Sequence, residues 1–214
     1  VRIGILAGMG AAAGVYFYDT IVKECQKMGC RRDGDFPEII IYNMSSYGIS
    51  ETGEIDESVL KNDVLNGICL LTRNSVSSIL LACNTAHVYF DYFYEKSGGI
   101  LVNMPKCAID SCGGDSFGVL CSRTARSVYS GGLFVTDREQ GYVNEAIEHA
   151  ISGEISELDE ERMYAVAVSL RLRDNPVKKV ILGCTEIPLV LRRKEPWIVD
   201  AGLVAIQEVL KDWV

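Results

Sequence analysis

The stretch ILLACNTAH, residues 79–87, stays apolar as far as Cys83 and then turns polar at Asn84 and Thr85. A second stretch, VILGCTEIP at 180–188, does the same at Cys184 and Thr185. Unbroken Val/Ile/Leu runs of this length are the pattern of strands buried on both faces of a parallel sheet. Each stretch therefore predicts a buried strand that ends on a thiol and hands over to a helix. Similar runs lie at 2–6, 38–43, 99–103, 116–121, 131–135 and 197–200. Helical patterns separate them, at 15–28, 56–74, 138–152, 158–172 and 202–213. Strand–helix alternation predicts an α/β fold with right-handed crossovers.

The chain also repeats itself. IGILAGMG (3–10) reads as a strand followed by a small-residue turn, and FGVLCSRT (117–124) has the same construction. A thiol-ended strand follows each of them. This order predicts two pseudo-symmetric parallel-sheet α/β subdomains with the active site in the cleft between them. We set the boundaries at 1–98 and 99–202. In parallel sheets ligands sit beyond the carboxyl ends of the strands. The repeat would bring both turns and both thiols to that edge.

Composition narrows the function. The chain has 214 residues, 48% of them hydrophobic, and a net charge of −8. The acidic balance argues against nucleic-acid and anionic-membrane partners, which select Lys and Arg excess. No apolar stretch reaches the roughly 20 residues of a membrane span. We expect a cytoplasmic protein with a small-molecule substrate. Eight cysteines with no export signal read as reduced thiols rather than a disulfide framework. Two histidines and no C-x2-C pair give no metal site. GMG (8–10) lacks the spacing and the lysine of a nucleotide loop. Its backbone N–H groups still suit a small carboxylate.

Six of the cysteines read as small buried hydrophobes. Cys83 and Cys184 differ, because position, neighbours and repeat agree. A helix N-terminus after each strand is expected to lower the thiol pKa, with Thr85 and Thr185 as caps. His87 reads as polar packing on that helix. In YNMSSYG (42–48), Ser45 or Ser46 is placed to face the cleft. Two opposed thiols with no cofactor suit one chemistry. One removes a Cα proton from an amino acid as thiolate, and the other returns a proton to the opposite face.

At these residues the chain resembles the aspartate/glutamate racemase superfamily, the cofactor-independent two-cysteine racemases, and most closely the aspartate branch. The matching pieces are GMG, ACNTAH, the Ser/Thr turn at 122–124 and LGCTEIP. The resemblance implies a homodimer, no pyridoxal phosphate or other cofactor, a C-terminal helix at 203–214 packing back on the first subdomain, and Cys83 and Cys184 as the acid/base pair. It implies that Asn84, Thr85, Ser122, Thr124 and Thr185, with the Met9–Gly10 backbone, hold the substrate carboxylate and amine. Glu186 would orient the site or bind the amine. The first loop departs from the family: it reads GMGAAAG where relatives usually continue Gly-Met-Gly-Pro-Glu-Ala-Thr. The glutamate branch carries a His after Gly-Cys-Thr, where this chain has Glu186, so the resemblance implies aspartate ahead of glutamate. Lys106, Arg123 and Arg126 are candidates by neighbourhood for holding a distal carboxylate. Two alternatives stand beside this reading: an isomerase or decarboxylase of another small acid, and a catalytically silent acid-binding protein.

Overall fold

The computed structural model describes residues 1–50, 54–211 and 213. Two wholly parallel sheets form its frame. The first takes β1 (Arg2–Ala7), β2 (Glu38–Asn43) and β3 (Ser78–Leu81) in the order β2-β1-β3. The second takes β4 (Phe117–Leu120), β5 (Leu133–Phe134), β6 (Lys179–Leu182) and β7 (Ile198–Asp200) in the order β5-β4-β6-β7. Around them run α1 (Ala11–Lys27), α2 (Glu57–Arg73), α3 (Phe90–Lys96), α4 (Met104–Ser111), α5 (Asp137–Ser152), α6 (Glu157–Arg171), α7 (Ile187–Val190) and α8 (Ala201–Lys211). The α/β architecture with two subdomains is the one the sequence predicts.

The sequence dictates most of these elements directly. Asp56 caps α2 by accepting from the N–H groups of Ser58 and Val59. Thr136 and Ser156 form capping boxes with Glu139 and Asp159 at the starts of α5 and α6. The left-handed Gly153 then stops α5. α1 begins at Ala11, four residues before the periodic pattern, because the three alanines that follow GMG are strong helix formers.

One expected strand is missing. The run at 99–103 makes a single parallel bridge, Ile79 to Leu101, and no ladder. Two positive-φ glycines, Gly98 and Gly99, lead into it, and the Asn103 side chain caps α4 directly after it, so too few residues remain to pair. α4 itself, eight residues long, was not legible as a helix.

The repeat appears in the register. β1 pairs β3 with Leu6 opposite Leu81, and β4 pairs β6 with Leu120 opposite Leu182. Two residues past these pairs lie Gly8 and Cys83 in the first sheet, and Ser122 and Cys184 in the second. Each turn thus neighbours a thiol at the carboxyl edge of its own sheet. One apolar core joins the halves, with Ile3, Ile5 and Leu80 from the first sheet and Val119, Ile181 and Val199 from the second. Burying such a side chain is worth about 1.5–3 kcal/mol, so this shared core holds the two edges in fixed relation. α8 packs against α1 and α4. Positions 212 and 214, which the C-terminal helix expectation includes, lie outside the described residues.

Candidate active site

A cavity of about 270 Å³ opens between the two carboxyl edges, with Cys83 and Cys184 both in its wall. Met9, Gly10 and Asn84 line it as well. So do Thr85, Ser122, Thr185 and Glu186. Two expected residues are not in the wall. Ser45 is exposed, because the chain alternates after β2: Met44 turns into the core, Ser45 to solvent, and Ser46 to the cavity. Thr124 opens the 3-10 turn at 124–128, where its carbonyl accepts from the Ser127 hydroxyl; Ser122 takes the wall position instead. A larger hollow of about 1250 Å³ along α1 and residues 188–203 shares no residue with this cavity and contains neither thiol.

The first half presents Cys83 on the turn after β3. The thiol leads into a five-residue 3-10 turn, Thr85–Tyr89, rather than a regular helix start. The ring of His87 is buried, with Nδ1 2.8 Å from the Cys83 carbonyl, and it fixes that peptide from below. His87 stays out of the cavity, which agrees with its reading as packing. Thr85 does not cap the turn. Its hydroxyl lies 3.0 Å from the Ser122 hydroxyl and ties the two edges together.

The second half presents Cys184 before the short α7. Its thiol donates to Glu186 Oε2 at 3.0 Å, and the Thr185 hydroxyl donates to the same oxygen at 3.0 Å. Thr185, like Thr85, is therefore not a helix cap. Glu186 is buried, and its other oxygen lies against Gly10. A Cβ on Gly10 would stand 1.8 Å from Oε1. Gly10 also has φ of 91°, in the left-handed region, so glycine is required there twice over.

The thiol electrostatics differ from the sequence expectation. Burial pushes Cys83 up to about 12, and the charge of Glu186 adds to it. The backbone N–H groups of Ala86 and Thr85 offset this only in part. Cys184 is raised well above the usual thiol value by burial, then by the charge and hydrogen bond of Glu186. The expected helix-terminus lowering loses because the adjoining turns are too short to sum a useful dipole, while desolvation acts in full. Burial likewise raises Glu186.

Two buried polar atoms in this wall have no partner among the described residues: the donor Asn84 Nδ2 and the acceptor Glu186 Oε1. Each unsatisfied buried group costs on the order of 1–3 kcal/mol. Asn84 is held in place by a residue that sequence reasoning missed. The hydroxyl of Tyr129, fully buried in the second half, donates to Asn84 Oδ1. This turns the amide nitrogen free. Tyr129 fits because residue 183 is glycine: a Cβ there would meet the Tyr129 ring at 2.9 Å. No motif marks Tyr129; the glycine just before Cys184 was the available sign of a ring packed there.

The sequence profile of the Asp/Glu/Hydantoin racemase family matches residues 6–209. The chain belongs to this family. It is 38% identical over 90 residues to the broad specificity amino-acid racemase RacX of Bacillus subtilis (strain 168), a match covering 42% of this chain and 39% of that protein. The fold matches the aspartate racemase of Picrophilus torridus with a TM-score of 0.77 at 24% identity, covering 99% of this chain and 93% of that one. It matches an aspartate racemase homologue from Pyrococcus horikoshii with a TM-score of 0.77 at 20% identity, covering 98% and 97%. A glutamate racemase from Francisella tularensis, solved with D-glutamate, matches with a TM-score of 0.63 at 16% identity, covering 98% and 80%. Among the described residues no helix is long and apolar enough to cross a membrane.

Proposed function

We propose that this member of the family is a cofactor-independent amino-acid racemase, an isomerase in which Cys83 and Cys184 exchange a proton with opposite faces of the substrate Cα. The observation that carries this is the pair of unpartnered polar atoms on Asn84 and Glu186, which share the cavity wall with the two thiols. A buried donor at Asn84 Nδ2 and a buried acceptor at Glu186 Oε1 match the carboxylate and ammonium that every α-amino acid carries. Thr85, Ser122, Met9 and Gly10 line the same cavity, and the Thr185 hydroxyl holds the Glu186 carboxylate.

In the free site burial, and after it the charge of Glu186, hold both thiols protonated. A substrate ammonium beside Glu186 offsets that charge and so favours loss of a thiol proton when substrate is bound. The thiolate on one face takes the Cα proton. Charge then develops on the α-carboxylate, where the Asn84 amide and the hydroxyls stabilise it. The thiol on the other face delivers its proton and inverts the centre. The roles reverse for the other enantiomer.

The test is chirality and Cα-proton exchange of the purified protein with amino acids under reducing conditions. Cys83→Ala and Cys184→Ala are each expected to lower racemisation by roughly 10³-fold or more, in line with loss of an acid/base group. Near-wild-type racemisation by either variant contradicts the two-thiol reading. Turnover of a non-amino acid, with no Cα exchange in any amino acid, would instead favour the isomerase or decarboxylase alternative.

A further inference from the structure

The groups on Cα are common to all amino acids, so the substrate's side chain must occupy the rest of the same cavity. That remainder is walled by Met9, Ile49, Ile147 and Ile151, with Ser46 and Tyr47 from the segment after β2. Ile147 and Ile151 stand four residues apart on α5 and so share one face. Ile147 is 3% exposed and Ile151, at the rim, 41% exposed.

No Lys, Arg or His is among the described lining residues, and the charged side chain in the wall is Glu186. The nearby cations are engaged elsewhere. Arg123 pairs with Asp137 at 2.8 Å, and Lys106 with Asp110 at 2.5 Å. Arg126 donates to Gln140 Oε1 at 2.7 Å and lies over the Phe134 ring. Lys61 pairs with Glu57 at 2.5 Å and sits over the rings of Tyr89 and Tyr92. The stretch of sequence that supplies Ser46, Tyr47 and Ile49 has no Lys or Arg at any position from 44 to 60.

A side-chain carboxylate held against Ile147 in this space would give up water with no cationic partner among the described lining residues and with Glu186 in the same wall. Unpaired buried charge is strongly disfavoured. Aliphatic atoms against Ile49, Ile147 and Ile151 gain from burial instead. We infer that the site takes α-amino acids with an uncharged, mainly aliphatic side chain, selected by Ile147 and Ile151, rather than the aspartate or glutamate that the sequence resemblance implies. This rests on the racemase reading and names its substrate class.

The experiment is a competition in D2O. Wild-type protein is given an equimolar mixture of L-alanine, L-serine, L-leucine, L-methionine, L-aspartate, L-glutamate and L-lysine. Loss of each Cα proton is followed by NMR, which yields relative kcat/KM directly, and chirality is read in parallel. The expected result is at least one uncharged amino acid exchanging tenfold or more faster than aspartate and glutamate. Aspartate or glutamate at an equal or higher rate overturns the inference and leaves the racemase reading intact; so does lysine as the best substrate. Exchange of none of the seven overturns the racemase reading and this inference with it. A second arm uses Ile151→Arg, at the rim where a longer side chain can reach solvent. It is expected to narrow the preference for uncharged over acidic substrates at least fivefold, through KM for the acidic ones. An unchanged ratio removes Ile151 from the assignment.

Discussion

Cys83 and Cys184 follow equivalent strands at equivalent positions in the repeat, but their surroundings differ. Around Cys83 burial and the more distant charge of Glu186 are opposed by two backbone donors, the N–H groups of Ala86 and Thr85, which favour the thiolate. Beside Cys184 the nearest partner is the Glu186 carboxylate, which accepts the thiol proton and opposes ionisation by its charge. A near-symmetric scaffold thus holds two unequal acids. On the two-thiol proposal, this difference would make Cys83 the readier thiolate and Cys184 the better-held thiol.

The strongest way to break this comparison is Glu186→Gln. The change removes an anion that raises both thiols, and at Cys184 it also removes a charged hydrogen-bond acceptor. Thiol alkylation followed against pH, with each site mapped by mass spectrometry, should show both midpoints falling and Cys184 falling further. Racemisation should drop roughly 10- to 100-fold, the scale of a lost hydrogen bond to a charged group. Equal shifts at the two thiols would refute the asymmetry.

A smaller effect is expected on the Cys83 side. Tyr129→Phe removes the hydrogen bond that holds Asn84. The cost should be about 3- to 10-fold, as for one neutral hydrogen bond, seen in KM with the thiol alkylation midpoints unmoved. A shift at Cys83 of the size caused at Cys184 by Glu186→Gln would show that Tyr129 acts on the thiol rather than on the amide.

The frame of the molecule was open to sequence reading because parallel strands buried on both faces leave uninterrupted apolar runs. The ends of β3 and β6, and hence both thiols, could be placed that way. The surroundings of the thiols were harder to read. The helix-dipole expectation assumed regular helices, and a five-residue 3-10 turn and a four-residue helix stand there instead. Thr85 and Thr185 look like caps in one dimension. In three, one meets Ser122 across the cleft and the other meets Glu186. Ser45 and Ser46 differ only in pleat phase, which the strand end fixes and composition does not. Tyr129 and the isoleucines of α5 reach the cavity through tertiary packing, with no local pattern to announce them.

The most direct test of the central claim tracks isotope at early conversion with the best substrate in D2O, starting separately from each enantiomer. Two thiols on opposite faces predict that the inverted product carries solvent deuterium from its first appearance, while the unconverted enantiomer remains unlabelled. Deuterium entering the starting enantiomer as fast as the product, or product retaining its original Cα proton, would mean that one group serves both faces and would contradict the account.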